Sequence, residues 1–188
     1  MHRINCTFLL KIFISLVVVD SIARLILTKY VANHTVTNAI SHDNAARRLI
    51  AHARKRVRID SNLCIVFDFD DTLFYGYQPH TAMLHLCQTL QSIGISIIIV
   101  SASMSTRRQV MQQMLDRYQI VPHKMALMPT RGESILAHKT LTRQQLKDEG
   151  YTFIASVGDQ YHDVQPYIEQ NEAAVLLVNR EAALLYNF

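Results

Sequence analysis

LCIVFDFDDTL, residues 63–73, decides the fold. Its first five residues carry no polar side chain, and Asp68, Asp70 and Asp71 then fall within four positions. So apolar a run suits a strand buried on both faces, as in a parallel sheet covered by helices. Three carboxylates at the end of such a strand repel one another and are costly to desolvate, so packing alone does not account for them. They require a positive guest, a metal ion or a phosphate-binding cation, at the carboxyl end of a central strand.

Outward from this stretch, strands and helices alternate. The first strand is expected over 59–67. A helix over 80–93 carries Met83, Leu86, Cys87, Leu90 and Ile93 at helical spacing, with Gly94 as its stop. Residues 95–100 form a second strand. A helix over 105–118 faces Val110, Met111, Met114, Leu115 and Tyr118 inward. Residues 124–128 make a short third strand. A short helix over 142–149 follows, with Thr142 and Gln145 as a capping box. Strands at 153–157 and 173–178 bracket a helical turn at 163–170. The pattern predicts an α/β, doubly wound Rossmann-like parallel sheet of about five strands, with ligands bound beyond the carboxyl ends of its strands.

The 188 residues suit one domain with some extra sequence. Charge is placed unevenly. Seven basic residues face two acidic ones over 28–60, whereas 61–188 holds nine basic and twelve acidic. The high pI of about 9.1 therefore belongs to the N-terminal third, and nucleic acid is a possible partner that this balance does not favour.

Three domains are expected: 1–27, 28–59 and 60–188. The first has a basic start, an apolar run over 12–19, and Ser21 and Ala23 placed for cleavage after residue 23. It reads as a signal peptide or membrane anchor, with a packed amphipathic helix as the alternative. The corresponding location is secreted or membrane-associated, the alternative cytoplasmic. Residues 28–59 form a basic, helical N-terminal arm: a polar connection over 33–44, then a helix over 45–58 with Leu49, Ile50, Ala53 and Val57 on one face. Its basic face is read as solvated, favoured by the dipole at a helix C-terminus. Cys6, Cys64 and Cys87 match no zinc spacing and are too few for a disulfide framework, so buried thiols are expected of Cys64 and Cys87.

Each strand end supplies a polar group. The first gives Asp68, Asp70 and Thr72, and the second gives Ser101. The fourth runs into Asp159 with Asp163 four residues on, and Lys139 stands ahead of the short capped helix. Singly these are weak signals; in this order, at shared strand ends, they suit phosphoryl transfer. A carboxylate becomes a nucleophile when a metal and cations neutralise the phosphate it attacks. A second acid two residues on, on the same side of the strand by its period of two, can protonate the leaving oxygen. A hard cation, Mg²⁺, would take the remaining oxygen ligands.

The blocks FDFDDTL, IIIVS, HKTLTRQQLKDEGY and GDQYHDV resemble, in order, the signature of the haloacid dehalogenase (HAD) superfamily of phosphohydrolases, over roughly 60–188. The last two are most similar to the acid-phosphatase-like branch, subfamily IIIB, which includes plant vegetative storage proteins. Its marks are Lys139, Arg143 four residues on, Glu149-Gly150-Tyr151, and Gly158-Asp159-Gln160 with Asp163. The resemblance implies a small-molecule phosphomonoester as substrate and Asp68 as the aspartyl-phosphate-forming nucleophile. It further implies Asp70 as general acid/base, and Ser101 and Lys139 as phosphate ligands. Mg²⁺ would be bound by Asp68, the Asp70 backbone carbonyl and Asp159, with Asp163 supporting the metal site. Where relatives often carry Gly-Arg after the second-strand Ser/Thr, this chain has Ala102-Ser103; Arg107, Arg108 and Arg131 are the candidate replacements. The short gaps around Asp70 and Ser101 predict a small cap or none, and a rather open site. Two other readings stand beside the phosphatase: a weakly active storage or binding protein on the same fold, and a phosphatase for nucleotides or nucleic-acid ends. Oligomeric state is not legible in the residues.

Overall fold

The structure, a computed structural model, describes residues 37–129, 132, 134–168, 173–178 and 181–185. In chain order come β1 (Thr37–Ser41), α1 (His42–Arg56), β2 (Leu63–Phe67), β3 (Phe74–Tyr75), β4 (Gln78–Pro79) and α2 (Thr81–Ser92). Then follow β5 (Ser96–Met104), a single 3₁₀ turn (Ser105–Arg107), α3 (Arg108–Asp116), β6 (Lys124–Met128) and α4 (Ile135–Asp148). The chain closes with β7 (Thr152–Gly158), α5 (Tyr161–Ile168), β8 (Ala174–Val178) and β9 (Glu181–Leu185). The expected signal or anchor at 1–27, and Cys6, lie outside the described residues. Among the described residues no helix is long and apolar enough to cross a membrane.

The apolar run becomes β2, buried at every position. It pairs in parallel with β5 on one side and β7 on the other. Strands β6 and β8 extend the parallel sheet outward. These are the five parallel strands expected. The sheet continues with two antiparallel additions, β9 on β8 and β1 on β9, giving the order β1-β9-β8-β7-β2-β5-β6.

Alternation along β2 divides the core. Leu63, Ile65 and Phe67 join one cluster with Leu49 of α1, Met83 and Leu86 of α2, and Met111 and Leu115 of α3. Cys64 and Val66 join a second, with Leu146 of α4 and Tyr167 of α5. With helices on both faces, a continuous apolar strand is the only kind that can sit in the middle. Cys64 and Cys87 are both buried, as expected.

Several boundaries differ from expectation, each for a local reason. The strand does not begin at residue 59, since Ile59 is 80% exposed and Asn62 turns the chain at φ 53°. Residues 37–41 form an edge strand rather than a connection. Such a strand pairs on one side only and so needs no apolar run. Helix α1 starts at His42, where Ser41 Oγ accepts from Asn44 N at 3.3 Å. Ala45, Ala46, Leu49 and Ala53 of α1 are buried, whereas Val57 lies beyond the helix end and is 41% exposed. The compact unit therefore begins at Thr37, not at residue 60, and α1 is one of its covering helices rather than an arm. In α3, Met111, Met114 and Leu115 face inward but Val110 does not.

Candidate active site

The chain leaves β2 through a turn that gathers the first site residues. Asp68 N still donates to Val157 O (2.9 Å), carrying the pairing with β7 one residue past the strand. Phe69 O then accepts from Leu73 N and Phe74 N, and Asp71 sits at φ 58°, exposed, its backbone N donating to Phe74 O at 2.8 Å. Thr72 is fully buried and its hydroxyl donates to Asp159 Oδ1 at 3.3 Å, tying the turn to the end of β7. The only structure between this turn and α2 is the β3–β4 hairpin, consistent with a small cap.

Lys139 is the centre of the site. Its ammonium donates to Asp68 Oδ1 at 2.8 Å and to Asp163 Oδ1, with all three side chains nearly or fully buried. It stands in the second turn of α4, not ahead of the helix. The helix starts seven residues earlier than expected, capped by Ser134 Oγ accepting from Ala137 N. The buried face of α4 is Lys139, Thr142, Arg143 and Leu146: correct helical spacing, but three of the four residues polar. Hydrophobic periodicity cannot detect such a face. Arg143, one turn past Lys139, is held between rings, with its Cζ 5.2 Å from the Phe153 centroid and 5.1 Å from that of Tyr167.

Asp159 and Asp163 come from the end of β7 and the first turn of α5. Gln160 N donates to Asp163 Oδ2 (2.8 Å) and Ser156 Oγ to the Asp163 carbonyl (2.9 Å), fixing that residue from two sides. Gly158 is required here: a Cβ at this position would overlap the Asp163 side chain. Carboxylate oxygens of Asp68, Asp159 and Asp163 lie within 4.8 Å of one another. Three hard oxygen donors at that spacing fit a divalent cation.

Electrostatics follow burial. Desolvation pushes the Asp68 carboxyl up to about 7; Lys139 opposes the rise, while the Asp163 and Asp159 charges add to it. Burial alone would lower Lys139, but Asp68 and Asp163 outweigh it and hold the ammonium above its ordinary value. Asp159 is raised, chiefly by burial. An acidic cluster this poor in water gains by taking up a cation.

The second strand runs on through Ser101-Ala102-Ser103 to Met104, past its expected end. Ser101 is buried and its hydroxyl accepts from Ser103 N at 3.2 Å. Asp70 does not share the cluster of Asp68. Strand geometry ends at Phe67, so the period of two no longer applies, and the Asp70 carboxylate instead meets Ser103 and Arg107. Of the candidate arginines, Arg108 donates to the Met125 carbonyl and Arg131 lies outside the described residues; Arg107 is the one at the site. Ser103 was not among the expected site residues, and Arg107 was expected only as one of three candidate substrate contacts, not as a partner of Asp70. Their only signal is the spacing from Ser101.

The profile of the HAD superfamily, subfamily IIIB (acid phosphatase), matches residues 77–181, more than half of the chain. The chain belongs to this HAD subfamily. It is therefore a phosphatase, an enzyme hydrolysing phosphomonoesters; the superfamily generally uses a divalent metal, and the acidic triad of Asp68, Asp159 and Asp163 is present here. A search of curated proteins finds no match. The matched span holds Ser101, Lys139, Asp159 and Asp163 but starts after Asp68 and Asp70; the fold sets Asp68 against Lys139 and Asp163, and Asp70 against Ser103 and Arg107. Elements α1, α2 and the hairpin line an open cavity of about 970 Å³ that includes His42, Arg47, Ile50, Tyr75, His80 and His85. None of the site carboxylates lines it.

Proposed function

We propose that the chain is a Mg²⁺-dependent phosphomonoesterase that works through an aspartyl-phosphate on Asp68. The observation that carries this is the buried Lys139 ammonium lying against Asp68 at the carboxyl end of the central strand. Asp68 is oriented by that contact, and its second oxygen is left to attack phosphorus. Lys139 and the hydroxyl of Ser101, whose oxygen already accepts from Ser103 N, would hold phosphate oxygens. As the P–O bond to the alcohol breaks, Asp70 gives its proton to the leaving oxygen. It then takes one from the water that releases phosphate from Asp68.

Asp68, Asp159 and the Asp70 backbone carbonyl would hold Mg²⁺, with Asp163 supporting the site while fixing Lys139. When bound, the ion neutralises charge on the phosphoryl group. Asp163 is better suited to support than to direct ligation, because both of its oxygens are already engaged, by Lys139 and by Gln160 N. The test is hydrolysis of an aryl phosphate with and without Mg²⁺, comparing wild type with Asp68→Asn. Metal-dependent turnover lost in the variant is expected; turnover surviving in Asp68→Asn would defeat the mechanism.

A further inference from the structure

We propose that Arg107 and Ser103 are positioning residues for Asp70, holding its carboxyl group in place for the leaving oxygen of the ester; this rests on Asp70 being the leaving-group acid. Three elements meet at the rim of the site: the turn after β2, the end of β5, and the 3₁₀ turn that follows it. Arg107 Nη1 donates to Asp70 Oδ2 at 2.8 Å and Nη2 to Oδ1 at 3.1 Å. Ser103 Oγ donates to Oδ2 at 2.5 Å, and Arg107 Nη1 also reaches Ser103 Oγ. Ser103 is buried, so the cluster is anchored from below, while Arg107 covers it from the solvent side.

The arrangement answers a geometric need. Asp70 stands outside regular structure and is partly exposed, so its side-chain torsions are otherwise free to occupy several staggered wells. A planar guanidinium on both oxygens sets the plane of the carboxyl group, which a point charge cannot do. Stability is a poor alternative account, because an ion pair this exposed contributes little to folding. The two oxygens are also unequal. Oδ2 accepts from two donors and Oδ1 from one, at the longer distance. Oδ1 is therefore the oxygen that serves the leaving group. Its proton passes to the ester oxygen as the P–O bond breaks, and Asp70 is left as the carboxylate that the Arg107 fork fits.

Leaving groups distinguish this role. p-Nitrophenolate departs without a proton, whereas an alkoxide needs one, so a misplaced acid harms alkyl esters selectively. With the full chain and Mg²⁺, Arg107→Ala is expected to lower kcat on an alkyl phosphate at least about 10-fold more than on p-nitrophenyl phosphate, within the about 10²–10⁴-fold that a general acid supplies. Arg107→Lys should restore only part of that ratio, and Ser103→Ala should shift it in the same direction by less. Equal loss on both esters in all three variants overturns the proposal. So does faster alkyl hydrolysis in Arg107→Ala, which would make the fork a restraint on Asp70. If wild type hydrolyses neither ester, the phosphatase mechanism falls and this role falls with it.

Discussion

At the floor of the site Lys139 joins Asp68 and Asp163 through side chains that are 5%, 9% and 2% exposed. At the rim Arg107 joins Asp70 through side chains that are 44% and 38% exposed. Both are cation–carboxylate pairs, yet water separates their uses. On the floor each charge is costly to desolvate and depends on its partner, so the cluster shapes both stability and reactivity. On the rim, solvent screens the pair, and what remains to it is geometry.

The largest expected effect tests the floor. Asp68→Asn should reduce turnover of an aryl phosphate by on the order of 10⁴-fold or more, since the amide removes the attacking group. Steady-state assays with purified protein and excess Mg²⁺ would measure it.

Stability separates floor from rim directly. Lys139→Met leaves two buried carboxylates uncompensated and should cost about 3–5 kcal/mol at neutral pH. Arg107→Ala should cost about 0–1 kcal/mol. Urea unfolding of the two variants gives both numbers, and equal losses would erase the distinction between the two regions.

Metal binding sharpens it further. With its carboxyl raised to about 7, Asp68 must shed a proton to become a ligand at lower pH. Mg²⁺ affinity should then fall by about tenfold per pH unit below 7, with proton release on binding. The metal-free fold should behave in the opposite sense. A raised carboxyl favours the folded state below the unfolded value near 4, and that advantage is lost as pH rises toward 7. Titration calorimetry in buffers of different ionisation enthalpy would detect the released protons; a flat affinity between pH 5 and 8 would contradict the account.

The smallest effect lies at a histidine pair. His80 is buried against His42, with Nε2 2.8 Å from Nδ1, and burial followed by that neighbour lowers its pKa. A lowered histidine supports the fold above the unfolded value near 6.5 and withdraws that support as pH falls. The melting temperature should drop from pH 7 to 5, and less steeply in His80→Phe. Identical slopes would assign the acid sensitivity elsewhere.

Burial decided what could be read in advance. The strands at the sheet centre were legible because both faces of β2, β5 and β7 are covered, which forces continuous apolar runs. Strand β1 was not, because an edge strand can be polar. The start of α4 was missed because its buried face carries Lys139, Thr142 and Arg143 rather than a run of apolar groups. Asp68, Lys139, Asp159 and Asp163, which the structure brings together, stand out by residue type and order. Ser103 does not, and Arg107 was only one of three candidate arginines, because nothing in a row of residues shows which serine and which arginine a carboxylate will meet.

Sequence by itself determined the five parallel strands, the order in which they contribute polar groups and the chemical type of the site, because solvent exclusion and carboxylate repulsion are properties of residues in a row. Only the tertiary structure decided how Asp68, Asp70 and Asp71 divide. Asp68 goes to the buried ammonium, Asp71 to solvent, and Asp70 to an arginine 37 positions away. Neighbouring residues in a tight turn diverge in direction, and which partner each one finds depends on elements that the chain brings back from far along its length.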